Sequence, residues 1–368
     1  MSRAATPLWL ATPSRFAGLP RATAWWVAAA LALLVVASLT ALLGPAPDAS
    51  PDAGGRITDL ILYESIIDGV RAGGNYYQVT ADALRAGSYP LRPFLTFRLP
   101  THSIVQAALP LAASLALLWL LGIGVALAWW ARLRTALTRP AALVTAAILF
   151  AGGMVAFVQV ELIAFHEIWA ALLVALALAL RTRERWLAPV AIALVAMLVR
   201  ETAALFVIVM GVLALLEGRR REASGWLGAL LVFAVALGAH AYGVAQVTGP
   251  LDPASPGWTG LLGFGFFARS VAAATALAAL PIALAAPLVA LTLFGWACWR
   301  DPLGLRAATV FAGYALALAL FARPDTFYWG LMVAPVFLIG LVFVPDGLRD
   351  LALSLRRRSR VRVRRVTP

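Results

Sequence analysis

Few side chains in this sequence could do chemistry, and most of them stand at the ends of apolar runs. Asp59, Tyr63 and Glu64 fall in one stretch, Ile57-Thr58-Asp59-Leu60-Ile61-Leu62-Tyr63-Glu64-Ser65-Ile66-Ile67-Asp68-Gly69-Val70-Arg71. Further along come Glu161, His166 and Glu167, then Arg200 and Glu201, then His240 and Tyr242, and finally Arg323, Asp325 and Tyr328. A carboxylate can take the proton of an attacking hydroxyl. Arginine can hold a phosphate through two parallel N–H donors. Each group also has a plainer reading: a solvated helix face for the first stretch, a packing histidine for His240, a short turn for Arg200-Glu201, a surface pair for Arg323 and Asp325. Their shared placement favours chemistry, because ionisable groups at membrane depth are costly and usually line a cavity or pair with one another.

Composition shows what must position these groups. Of 368 residues, 62% are hydrophobic and only 13% charged, with a mean hydropathy of +0.88. Soluble domains are about 45–50% apolar and about 25% charged, so the sequence reads as a multi-span membrane protein. The single cysteine, Cys298, excludes an intramolecular disulfide and a cysteine-rich metal site. All 30 basic residues are arginine.

Apolar runs fall at 24–43, 104–128, 141–160, 165–180, 186–199, 201–216, 226–247, 271–298, 307–322 and 328–345. A spanning helix needs roughly 20 residues, and the expectation is an all-α polytopic bundle of about ten spans. The short runs meeting at Arg200-Glu201 could instead form one bent hairpin. With a cytoplasmic amino terminus, 22 of the 30 arginines and six acids fall on the cytoplasmic side, a net +16, against −3 outside. Positive charge stays inside, so both termini are expected in the cytoplasm. Residues 1–23 form a cytoplasmic start, 24–345 the transmembrane domain and 346–368 a basic tail suited to anionic headgroups. The charge placement speaks against nucleic acid as a partner. The first run reads as a retained anchor, with a cleaved signal peptide as the alternative.

The one long polar stretch, 44–103, is then the first outer loop. After a flexible opening from Pro45 to Gly55, Ile57, Leu60, Ile61, Ile67 and Val70 recur at roughly helical spacing. They predict an amphipathic helix at the membrane surface. Gly73-Gly74 ends it, and Asn75 can cap a second helix through about Arg85.

This layout resembles the integral-membrane glycosyltransferases of the GT-C superfamily, the polyprenyl-phosphate-sugar-dependent group. An acid on a surface helix in the first outer loop, Gly74-Asn75-Tyr76-Tyr77, Tyr89-Pro90, His166-Glu167 and Arg200-Glu201-Thr202 carry the resemblance. It implies transfer of a sugar from a polyprenyl-phosphate donor to a hydroxyl of a lipid, glycan or protein acceptor, on the outer face of a bacterial inner membrane. Asp59 best matches the family's catalytic acid, although no second acid adjoins it and Asn75 stands where relatives can carry one. The base is therefore open between Asp59 and Glu64. Arg200, with Arg92, Arg98 or Arg323, would hold the lipid phosphate, and His166 and Glu167 would orient a substrate. Tyr63, Tyr76, Tyr77, His102, Glu201 and Asp325 complete the expected binding residues. A lone base fits inversion, since retention needs a second carboxylate close by. No cofactor is required, a divalent metal is optional, and no nucleotide-binding loop is present. A transporter or lipid flippase is the leading reading from another class, followed by a polysaccharide polymerase or ligase and an accessory scaffold.

Overall fold

The computed structural model describes residues 6–44 and 55–356, the side chains of 55–58 excepted. The opening of the polar loop before Gly55 and the arginine tail after Arg356 lie outside the described residues. The chain runs through α1 (Arg21–Leu39), α2 (Gly55–Arg71), α3 (Tyr76–Ala86), α4 (Pro100–Ala108) and α5 (Leu111–Ala136). Next come α6 (Pro140–Gly153), α7 (His166–Leu180), α8 (Leu187–Val199), α9 (Ala204–Leu216) and α10 (Arg220–Ala245). It closes with α11 (Gly263–Ala273), α12 (Ile282–Cys298), α13 (Pro302–Phe321), α14 (Ala334–Phe337) and α15 (Val344–Arg356). Among the described residues no strand forms beyond two isolated bridges.

Among the described residues, four helices are long and apolar enough to cross a membrane: Arg21–Leu42, α5, α10 and α13. The pair Pro324–Met332 and Ala334–Arg356, bent by 55°, adds a fifth as a broken span. The remaining apolar helices are shorter; thirteen-residue α8 covers about 20 Å against about 30 Å of hydrocarbon. Four predicted runs are interrupted, 141–160 after Gly153 and 328–345 at Val333 among them. Pro110 separates α4 from α5, because a proline disfavours helix at the residue before it. In the run 271–298, Thr275 caps a short turn and Pro281 starts α12 afresh. Arg200 takes an extended conformation that separates α8 from α9, so the two short runs are distinct helices.

The interior is built from small residues that let backbones approach and from aromatics that fill the gaps. A Cβ on Gly153 would lie 2.5 Å from the Ala334 carbonyl oxygen, and one on Gly295 would collide with the Gly340 carbonyl. Trp296 packs against Trp129, Phe311 and Phe343 and donates its indole N–H to the Phe337 carbonyl at 2.8 Å. That bond spares a polar group in the core an unpaired burial.

Polar contacts sort the helix termini into two ends. At the arginine-rich end, Arg181 beyond α7 forms a bidentate pair with Glu222 of α10, and Arg306 of α13 meets Glu217 beyond α9. The amino-terminal segment is fastened to the same end: Asp346 accepts the N–H groups of Leu8, Trp9 and Leu10, and Asp350 that of Ser14. The opposite end carries α2, α3, α4 and the connections after α6, α8, α10 and α13.

Candidate functional site

At this polar-loop end, α2 buries Leu62, Tyr63, Ile66 and Ile67 and leaves Ile61, Glu64 and Asp68 exposed. Of the apolar positions expected to share a face, Ile67 is buried and Leu60 and Val70 are half-buried, whereas Ile61 is exposed and Leu62 is buried in its place. Asp59 and Tyr63, one turn apart, share the inward side. The Asp59 carboxylate accepts the Tyr89 hydroxyl at 2.8 Å. Burial lifts its pKa above the usual carboxylate value, with Glu167 and Asp325 adding to the rise and the Tyr89 bond and Arg98 opposing it. Glu64 makes no ion pair among the described residues and points outward, so Asp59 is the carboxylate the fold turns toward the site.

Arg98 lies just before α4, its backbone fixed by the Tyr76 hydroxyl, which donates to the Arg98 carbonyl at 2.6 Å. Its guanidinium donates to Tyr63 Oη at 3.1 Å and to Tyr328 Oη at 3.2 Å, and lies 3.8 Å from Glu201. Burial works against its charge, but the two tyrosines and Glu201 outweigh that and hold its pKa well above the ordinary arginine value. The Arg98 side chain keeps 17% of its surface exposed.

Arg200 is placed differently. Its side chain is 1% exposed and is engaged by Glu167 at 2.7 Å and Glu201 at 2.6 Å. Glu167 is fully buried in the first turn of α7, where the helix amino terminus favours a carboxylate. Arg200 thus ties α7 to the α8–α9 junction, and Arg98 is the more accessible cation. Next to Glu167, the His166 ring lies 5.1 Å from Tyr63 and 4.5 Å from His102. Both His166 ring nitrogens are buried without a hydrogen-bond partner. His102 contacts Gln106 at 3.3 Å and the Trp169 ring. Tyr77 stacks toward His240 rather than toward Arg98.

A cavity of about 230 Å³ adjoins this cluster. Leu205 and Ile208 of α9 and Tyr314 and Leu318 of α13 form apolar walls, while Glu201, Thr202 and Trp329 supply the polar groups. Thr202 Oγ1 and Trp329 Nε1 are buried without partners. The arrangement sets a buried carboxylate within electrostatic reach of an accessible cation, which in turn approaches Glu201 at the edge of an apolar recess.

Other expected residues lie at the margin. Arg92 is exposed and donates to the Asp252 carbonyl at 2.8 Å. Arg323 pairs with Asp325 at 2.6 Å and reaches Ser255. These contacts belong to a connection, residues 246–262, that the sequence reading left without a role. Asp252 takes two hydrogen bonds from Arg85, which hold its pKa below the usual range, and Leu91 and Arg92 donate to the Pro253 carbonyl. Thr248-Gly249-Pro250-Leu251-Asp252-Pro253, a polar and proline-rich break between two apolar runs, was the available signal. Tyr328 and Tyr89 were legible as residues but not as partners of Arg98 and Asp59. Among the described residues no three or more His, Cys, Asp or Glu side chains are gathered as a metal site requires. The chain matches no protein-family model, no curated protein and no solved structure.

Proposed function

We propose that the protein is an integral-membrane glycosyltransferase of about ten spans, both termini cytoplasmic, that moves a sugar from a polyprenyl-phosphate donor to an acceptor hydroxyl at the outer face. The observation that carries this reading is that Asp59 lies within electrostatic reach of Arg98, which approaches Glu201 at the edge of an apolar recess. Asp59 takes the acceptor proton as the acceptor oxygen bonds to the anomeric carbon and the bond to phosphate breaks. Polyprenyl phosphate leaves with the electron pair, and Arg98, steadied by Tyr63 and Tyr328, faces its charge. Glu167 and Glu201 are both paired to Arg200 and are not free to act as nucleophiles, which favours inversion. His166, with two free ring nitrogens, hydrogen-bonds sugar hydroxyls. The recess takes the first part of the prenyl chain. It is smaller than the roughly 300–1,000 Å³ of a typical ligand pocket, so the rest of the chain stays in the bilayer.

Mass spectrometry of lipids copurifying with the full chain tests the reading. Recovery of a polyprenyl-phosphate sugar, diminished in Arg98→Ala, is the expected result. Recovery of bulk phospholipid alone, with no transfer from synthetic polyprenyl-phosphate sugars, overturns it.

A further inference from the structure

Charge is sorted at the arginine-rich end in a way the catalytic reading does not use. Six acids lie there, and five are spent on the protein itself. Asp346 and Asp350 hold the amino-terminal segment, Asp301 caps α13 through Leu303 N–H, and Glu217 and Glu222 pair with Arg306, Arg181 and Arg219. Six arginines also turn inward: Arg15 and Arg132 donate to helix-end carbonyls, Arg349 to the Thr6 carbonyl, and three join that ion network. The others are exposed and make no side-chain hydrogen bond or ion pair among the described residues. They begin α1 (Arg21) and α10 (Arg220, Arg221), flank the α5–α6 turn (Arg134, Arg139) and occupy the α7–α8 turn (Arg183, Arg185). Arg300 precedes α13 and Arg356 ends α15, so the set surrounds the bundle.

Exposed tryptophans stand one turn away on the same helices: Trp25 at 57% and Trp26 at 77% beyond Arg21, and Trp130 at 44% before Arg134. Bare leucines follow on the same helices, Leu33 at 70% beyond Trp26 and Leu127 at 65% before Trp130. Cation, then indole, then aliphatic surface is the order a bilayer presents from headgroup to tail. A polynucleotide would meet the cations but has nothing to cover the tryptophans and leucines.

We propose that this ring binds the headgroups of anionic phospholipids, gathering them from a mixed bilayer around one end of the protein. Arginine holds a phosphodiester through paired donors, and basic residues at a bilayer surface attract anionic lipid. The proposal is independent of the catalytic reading, since none of these arginines belongs to the candidate site.

The test places the full chain in nanodiscs of mixed zwitterionic and anionic phospholipid and measures, by native mass spectrometry, the lipids retained on release. Anionic lipid is expected at about threefold or more above its bulk share. Arg139→Gln/Arg220→Gln/Arg221→Gln/Arg300→Gln should return the shell toward bulk composition at unchanged melting temperature, and Arg71→Gln, at the other end, should not. Raising salt from about 0.1 M to about 0.5 M should erode enrichment in the unaltered protein, a readout that needs no variant. A shell matching bulk composition overturns the proposal. So does enrichment that survives both the fourfold variant and salt, or displacement of the anionic lipid by stoichiometric single-stranded DNA.

Discussion

The two ends of the bundle both bury charge, but they finish the job differently. At the arginine-rich end, Glu222 is satisfied by Arg181, Arg219 and the Trp226 indole, and Asp346 by three backbone N–H groups. At the polar-loop end, His166 keeps both ring nitrogens unpartnered, as do Thr202 Oγ1 and Trp329 Nε1, and Asp59 is buried enough for its pKa to rise. Buried polar groups are ordinarily paired; at the arginine-rich end the exceptions, Arg219 Nη1 and Arg306 Nε, belong to guanidinium groups already held in ion pairs, so that network is scaffold. An unsaturated one, beside a recess, is a place kept for something else. Perturbed titration and missing partners concentrate at functional sites for that reason.

Substitutions at the two ends should therefore fail in different ways. Asp59→Asn is the largest expected effect. Removing a general base costs about 10³-fold in rate, and because asparagine keeps the size and an acceptor oxygen for the Tyr89 hydroxyl, the melting temperature should hold. Transfer at near-normal rate in that variant would break the contrast at its functional end. Arg181→Met is the converse. Leaving Glu222 without its bidentate partner should cost about 3 kcal/mol of stability, read as a lower melting temperature, while the rate per folded molecule stays within a factor of two or so. A selective rate loss there would show that the scaffold end takes part in the reaction.

The contrast also marks what the sequence could and could not say. Composition and run lengths were enough for an all-helical chain with helices long and apolar enough to cross a membrane, though not for ten of them, and Asn75 caps α3 through Tyr77 and Gln78 N–H as its residue type foretold. The convergence of Asp59, His166, Glu167, Arg200 and Glu201 on one end followed from alternating the runs. Which arginine is accessible did not follow. Arg98 and Arg200 look alike in sequence, and only packing shows one flanked by tyrosine hydroxyls and the other consumed by two glutamates. On α2 Leu62 is buried in place of Ile61, because both are apolar and periodicity alone cannot choose between them. The clasp made by residues 246–262 was hidden because its partners, Arg85 and Arg92, lie about 160 positions away in sequence.

Arg98 sharpens the comparison at the polar-loop end. Arg98→Ala should weaken donor binding about 30-fold, the scale of lost charge-assisted hydrogen bonds, with much less effect on acceptor binding. Equal losses for donor and acceptor would place Arg98 as a support for the site rather than a phosphate ligand. Tyr89→Phe acts more gently. The Tyr89 hydroxyl stabilises ionised Asp59, so its removal should move the acid limb of the pH–rate profile to higher pH, with rate recovered at alkaline pH. The stability sign runs opposite to the rate. A carboxyl whose folded pKa is raised stabilises the fold while protonated, and that contribution fades as pH climbs from the ordinary carboxylate value through the raised one. An acid limb that stays put, or shifts downward, would take Asp59 out of the role of base.

The smallest effect belongs to the clasp. Arg85 and Asp252 form an ion pair whose arginine side chain is 40% exposed and whose carboxylate is 14% exposed, and pairs open to water contribute little because solvent screens them. Asp252 nevertheless also receives the Gly249 N–H, and its own carbonyl accepts from Arg92, so it fixes the 246–262 connection against the loop that carries Tyr89 and Arg98. Asp252→Asn keeps the size and one acceptor oxygen while removing the charge. The expected result is an unchanged melting temperature and an acceptor KM raised by no more than about threefold, with raised salt producing the same small change in the unaltered protein. A large loss of rate in Asp252→Asn would mean that the clasp contributes to the reaction itself, and the saturated contacts of this connection would then have to be counted with the site rather than with the scaffold.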